Sequence, residues 1–173
     1  MAFAGLIIMG SDKTKLRRYE DDLNVSGTGV ILMGGWAVVR VLIEVFLQTK
    51  PSEELAKEAP EDRLPILLIV IGMVVIVSAV VMTIHLYIGL NAMRAAKGVK
   101  HSRGYYYAAI ILLILSVFGL FSYKEEIKDI ENIDTTIASI LVDLTTIYIL
   151  AVTVISTRRI RSIKKSEAGE VTD

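Results

Sequence analysis

The sequence predicts an all-α, polytopic membrane protein, a transmembrane bundle of four helices with both termini on the cytoplasmic side. Charged residues are nearly absent from four long segments and are concentrated in the regions between and beside them. The basic residues occur mainly in every second one of these regions. A helix needs about 20 mostly apolar residues to cross roughly 30 Å of hydrocarbon. Total composition is less informative, because 53% hydrophobic residues is only slightly above the roughly 45–50% of soluble proteins.

The predicted spans cover about residues 28–49, 64–93, 105–123 and 133–157. His85 is the only ionisable group in the second span apart from tyrosine, and tyrosines are the only ones in the third. A soluble helix of this length shows a polar face every 3.6 residues, and neither of these segments has one. The chain has no spare length for polar helices that would cover them in water, so the sequence favours lipid as their surroundings.

The distribution of basic residues predicts the orientation. They occupy the N-terminal segment (Lys13, Lys15, Arg17, Arg18), the second loop (Arg94, Lys97, Lys100, Arg103) and the tail (Arg158, Arg159, Arg161, Lys164, Lys165). The other two loops carry mainly acidic residues. Because basic segments stay on the cytoplasmic side, we expect a multi-pass protein of the cell membrane with both ends in the cytoplasm.

The two ends flank a transmembrane domain of residues 28–157. Residues 1–27 form a predicted cytoplasmic segment, and residues 158–173 form a tail that is basic and then acidic. In the N-terminal segment, Leu16, Tyr19 and Leu23 recur at helical spacing among basic neighbours. This pattern predicts an amphipathic helix that lies on anionic lipid headgroups.

Three charges fall inside the predicted spans. Arg40 is near the middle of the first span, and Glu44 follows it one helical turn later. Asp143 lies in the fourth span, and at 1.5 Å per residue both it and Arg40 are roughly 14 Å from the outer boundary. A charge in hydrocarbon usually implies a partner. We therefore expect an Arg40–Asp143 pair with Glu44 as a second partner, serving either helix register or an ion, proton or ligand site.

Polar side chains of the fourth span form one helical stripe. Its members are Thr135, Ser139, Asp143, Thr146, Thr153 and Thr157. Such stripes usually face other helices and hydrogen-bond across them, so we expect packing contacts, with a water-filled path as the alternative.

Glycines of the first span indicate close helix packing. Gly27, Gly29, Gly34 and Gly35 precede Trp36. Small residues let helix backbones approach each other. The spacing does not follow GxxxG, so it predicts tight packing without a specific dimer motif.

The remaining candidate residues lie near the cytoplasmic end of the second span and in the loop after it. His85 is a candidate pH-sensitive group, although a lone histidine there is more often simply hydrogen-bonded. The basic loop and the tyrosines that follow it are candidates for contact with headgroups or a partner, or they reflect topology alone. This loop group consists of Arg94, Lys97, Lys100, Arg103, Tyr105, Tyr106 and Tyr107. With no cysteine and two separated histidines, neither a metal site nor a cofactor is expected.

The sequence favours a non-catalytic assembly, accessory or regulatory subunit that contacts the bilayer and either a membrane-protein partner or a second copy. It contains no recognisable catalytic motif, and its zero net charge gives no reason to expect a nucleic-acid partner. A small transporter or channel that uses Arg40, Glu44 and Asp143 is the alternative. A lipid-modifying membrane enzyme is a weaker one, because it needs polar groups that converge near His85 and the second loop.

Overall fold

A computed structural model describes residues 2–43, 45, 63–126 and 133–170 of the chain, and these residues are helical apart from the short second loop. The helices are α1 (Ala2–Ile43), α2 (Arg63–Ala96), α3 (Gly104–Glu126) and α4 (Ile133–Glu170). Each contains a stretch that is long and apolar enough to cross a membrane: Lys13–Ile43, Leu64–Ala96, Gly104–Tyr123 and Thr136–Ser166. The predicted all-α class with four such helices is confirmed.

Helix α1 differs from the predicted division into a surface helix and a separate span. It runs without a break from Ala2 to Ile43. Leu23 is 1% exposed, and Leu16 and Tyr19 pack against the same apolar cluster. These three side chains therefore pack on protein, because α2 and α4 continue beyond their charge-free stretches and offer an apolar surface at this level.

The chain divides into two compact units. The first comprises Met1–Val30 and Ile88–Asp173, and the second comprises Ile31–Tyr87. In the first unit α3 packs along α4, and two apolar clusters form the core. One cluster contains Leu23, Ala92, Ala95, Ala96, Tyr105 and Ile160, and the other contains Val30, Ile88, Ala109 and Leu150.

Helix α2 ends in a defined C-terminal cap. Gly98 has a φ of +68°, a left-handed conformation that glycine adopts without steric cost. The amide of Gly98 donates to the carbonyl of Ala95 (3.2 Å), and the amide of Val99 donates to that of Arg94 (2.9 Å). This pair of hydrogen bonds is a Schellman motif, which turns the chain sharply into the second loop.

The second loop is then fixed at the start of α3. The buried Asn91 side chain accepts a hydrogen bond from the Ser102 amide at 2.9 Å. The Ser102 hydroxyl in turn accepts one from the Gly104 amide at 3.3 Å, which satisfies an otherwise unpaired donor of the first helical turn. The loop therefore holds the end of α2 and the beginning of α3 in a fixed relation.

The second unit contains the end of α1 and the first part of α2. Here Gly34 lies against His85, close enough that a side chain at position 34 would overlap the histidine. The unit buries little else, and most large apolar side chains of α2 between Leu64 and Val80 are exposed. An exposed apolar surface of this extent fits a hydrocarbon environment.

Candidate functional site

The predicted charge cluster is described only in part. Arg40 is half-buried near the end of α1, and Asp143 is half-buried on α4. Glu44 lies outside the described residues. The Tyr123 hydroxyl donates a hydrogen bond of 2.6 Å to the Asp143 carboxylate. Sequence reasoning did not pair these two residues, and the Arg40–Asp143 pair, whose members belong to different units, stays a prediction.

The Tyr123–Asp143 bond joins the end of α3 to α4. The distance of 2.6 Å between the Tyr123 hydroxyl and the Asp143 carboxylate is at the short end of the range for an O–H···O hydrogen bond. Tyr123 is itself buried. The contact therefore ties two neighbouring helices together at a polar point within apolar surroundings.

Two threonine hydroxyls of the polar stripe donate hydrogen bonds to backbone carbonyls of α4 itself. Thr146 donates to the Val142 carbonyl at 3.0 Å, and Thr153 donates to the Ile149 carbonyl at 2.9 Å. Such bonds to the carbonyl four residues earlier satisfy a hydroxyl without a partner helix. Ser139 is half-buried, and the side chain of Thr135 lies outside the described residues.

A hydrogen-bonded chain of three groups lies at the far end of the stripe. The Thr157 hydroxyl donates to the Thr153 carbonyl at 2.7 Å, and it lies 3.0 Å from the Tyr105 hydroxyl. Because a threonine hydroxyl has one proton, Tyr105 must be the donor in its contact with Thr157. This bond joins the start of α3 to α4, and all three side chains are buried.

Two further buried polar residues on α4, Thr136 and Ser156, were not singled out from the sequence. Ser156 lies three residues after Thr153 and one before Thr157, so the helical spacing of these three residues was the available signal. Thr136 lies at the edge of the span, where the pattern gives no comparable indication.

The loop group divides into buried and exposed members. Tyr105 is 1% exposed, whereas Tyr107 is 64% exposed. The Tyr106 ring lies beneath the Arg161 guanidinium, 4.8 Å from its centroid, which is a cation–π contact. The four basic residues, Arg94, Lys97, Lys100 and Arg103, are all exposed.

His85 is buried against α1, and its imidazole is bonded within α2. Its Nδ1 lies 2.8 Å from the Val81 carbonyl, and a carbonyl can only accept, so Nδ1 carries the proton. One ring edge is thus fixed by the helix itself. Ser78, on the same face of α2, has a buried hydroxyl that makes no hydrogen bond within the described ranges.

The exposed face of α4 carries a polar group near the middle of its apolar stretch, Thr136–Ser166. Tyr148 is 70% exposed and lies among exposed apolar side chains at helical spacing. This face consists of Ile137, Leu141, Leu144, Tyr148 and Ile155. The Tyr148 hydroxyl makes no hydrogen bond to any part of the chain that the structure describes.

Two polar contacts, Tyr105 with Thr157 and Tyr123 with Asp143, join α3 to α4, while Tyr148 is exposed. The sequence matches no protein-family model, no curated protein and no solved structure at a significance that would indicate a relationship.

Proposed function

We propose that this chain is a non-catalytic assembly or accessory subunit of the cell membrane. In this proposal the four helices cross the bilayer with both termini in the cytoplasm. The exposed face of α4 then binds a transmembrane helix of another polypeptide. The observation that carries the proposal is the exposed hydroxyl of Tyr148.

If only lipid surrounded Tyr148, its exposed hydroxyl would be energetically unfavourable, because the residue lies deep in the predicted bilayer. It lies 12 residues after Thr136 and 10 before Arg158, which is about 18 Å and 15 Å along the helix at 1.5 Å per residue. Hydrocarbon offers no hydrogen-bond partner at that depth, and an unsatisfied hydroxyl there costs roughly 2–7 kcal/mol. A neighbouring helix that supplies an acceptor removes this cost.

The surroundings of Tyr148 suit a helix partner. Leu141, Leu144 and Ile155 extend the same face along α4, and tyrosine provides a large contact area with one polar tip. In membranes, helix association depends on close packing and interhelical hydrogen bonds, since lipid tails are as apolar as the side chains. An apolar face with one hydroxyl has both features.

The bonding of α4 supports assembly over conduction. A water-filled path needs polar groups that face water, whereas Thr146 and Thr153 donate to their own helix. The Asp143 carboxylate accepts from Tyr123. These groups therefore have partners within the protein already, which favours a structural role over a path for water or ions.

Site-specific photo-crosslinking in native membranes tests the proposal. A photoreactive phenylalanine analogue replaces Tyr148, and a matched one replaces Phe118, which is 66% exposed on α3. We expect position 148 to give one protein adduct of defined mass. A second copy doubles the 19.1 kDa of the chain, and a different polypeptide gives another fixed increment.

The control at position 118 separates a specific contact from random collision. Specific association predicts that the adduct formed from position 148 is either absent at position 118 or formed there in a lower yield. If position 148 crosslinks only lipid, or if both positions give the same distribution of products, the proposed assembly role is wrong.

A further inference from the structure

A cavity of about 370 Å³ lies in the first unit, between the N-terminal half of α1, the end of α2, the second loop, the start of α3 and the end of α4. Its inner wall is apolar and buried, and includes Leu23, Tyr105 and Ile160. Its outer wall is cationic and exposed. The groups there are Arg161, Lys164 and Lys165, with the half-buried imidazole of His101 beside them.

Neighbouring contacts hold two of these outer groups in position. The Arg161 guanidinium lies over the Tyr106 ring at 4.8 Å. The His101 Nδ1 lies 2.9 Å from the Val99 carbonyl, and its ring meets the Tyr105 ring edge-on at 5.7 Å. The directions of Arg161 and His101 are therefore fixed before any ligand arrives.

The charges at the cavity do not balance. Glu20 pairs with Lys164 at 3.1 Å, and among the residues that line the cavity in the described part of the chain this leaves the charges of Arg161 and Lys165 as a surplus of two. Arginine and lysine recognise phosphate oxygens through charge-assisted hydrogen bonds. A phosphate monoester carries close to two negative charges near pH 7, which matches this surplus.

The level of the cavity along the helices indicates where such a phosphate comes from. The charge-free stretch of α4 ends at Arg158, and that of α2 ends at Arg94. The cavity lies immediately beyond both points, which is the depth of lipid headgroups when these helices cross a bilayer. Basic pockets between helices at this depth are suited to anionic headgroups.

We infer that this cavity binds the phosphate monoester headgroup of an anionic lipid, with Arg161, Lys164 and Lys165 as its cationic ligands. The inference extends beyond the assembly role and shares with it only the premise that these helices cross a bilayer. The cavity is lined largely by residues of α4 and the second loop. The loop cations that the sequence analysis considered for headgroup contact are exposed and do not line this cavity; they are Arg94, Lys97, Lys100 and Arg103. Free phosphate shares the same chemistry, so the test must separate the two sources.

Native mass spectrometry of the full chain in detergent measures this binding, with phosphatidic acid as the monoester probe and phosphatidylcholine as the zwitterionic reference. We expect one phosphatidic acid per chain to be retained in preference to phosphatidylcholine. Combining Arg161→Gln with Lys165→Gln should weaken binding roughly 25-fold, at about 5-fold for each cation lost. Glu20→Gln should strengthen it about 5-fold, because Lys164 loses its competing acid.

Arg159→Gln is the matched control for each single cation lost, because it removes one positive charge from the same helix. It lies two residues from Arg161, about 200° around the helix axis, and does not line the cavity. We expect its affinity to change less than about 2-fold, as for an exposed charge at a distance.

Three results would overturn the inference. A loss for Arg159→Gln as large as the loss per cation in the double variant, about 5-fold, would indicate diffuse surface charge. Displacement of the lipid by millimolar inorganic phosphate would indicate a free-phosphate site, and no preference for phosphatidic acid would indicate no site. The gain expected for Glu20→Gln cannot come from misfolding, so the test holds even if the double variant fails to fold. Crosslinking at position 148 is a separate readout, and either proposal can fail alone.

Discussion

Gly34→Ala is expected to destabilise the protein more than alanine at any other glycine of α1 whose surroundings the structure describes. A Cβ at Gly34 would overlap the Cβ of His85 and lie 2.8 Å from its ring Cγ. The histidine cannot swing away, because its Cβ is fixed to the backbone of α2 and its Nδ1 is bonded to Val81. The helices must separate instead, and we expect a loss of about 1–3 kcal/mol in the free energy of unfolding in detergent.

Gly35→Ala provides the matched control for this prediction. The same methyl group at Gly35 meets nothing within 4 Å among the described residues. Alanine also favours a helix over glycine by about 1 kcal/mol, so the substitution should be neutral or slightly stabilising. Thermal unfolding of the two variants side by side gives the measurement. Equal destabilisation would mean that Gly34 does not lie against His85.

Tyr105→Ala is expected to have the largest effect among the tyrosine substitutions. The side chain is 1% exposed and packs in the core cluster with Leu23, Ala92 and Ile160. Its removal leaves a cavity and breaks the hydrogen bond to Thr157. Truncation of a large buried aromatic ring typically costs about 3–5 kcal/mol, and unfolding in detergent measures it.

Two further variants divide this loss into its parts. Tyr105→Phe keeps the ring and removes only the hydroxyl, so it should cost about 0.5–1.5 kcal/mol. Tyr107→Ala removes the same side chain two residues away, where it is 64% exposed, and should fall within about 0.5 kcal/mol of the parent. Comparable losses for Tyr105→Ala and Tyr107→Ala would contradict the position of Tyr105 in the core.

The features that the sequence predicts well are those that one segment determines by itself. An uncharged stretch such as residues 64–93 has few solutions other than a long apolar helix, and the structure contains that helix. A helix was predicted near the start of the chain, but not its continuity with the first span, because the charges between Asp12 and Asp22 resemble a surface segment. They remain compatible with one continuous helix whose apolar face, including Leu23, packs on its neighbours.

Contacts between helices that are distant in the sequence could not be predicted from the sequence. The glycines of α1 predicted close packing, but not that Gly34 would meet His85 or that Gly27 would approach the Gly89 carbonyl. Three consecutive tyrosines look alike in the sequence, and only the placement of α4 makes Tyr105 a core residue. The pairing of Tyr123 with Asp143 depends on how α3 packs along α4, which a periodicity cannot specify.

The most direct test of the whole account is cysteine labelling in intact cells, since the natural chain contains no cysteine and each introduced one is unique. Ser52→Cys lies in the first loop and Lys100→Cys in the second, on opposite sides of the predicted bilayer. A membrane-impermeant maleimide should label position 52 at once and position 100 only after the membrane is permeabilised. Labelling of position 100 in intact cells, or protection of position 52, would contradict the four-span arrangement with both termini inside.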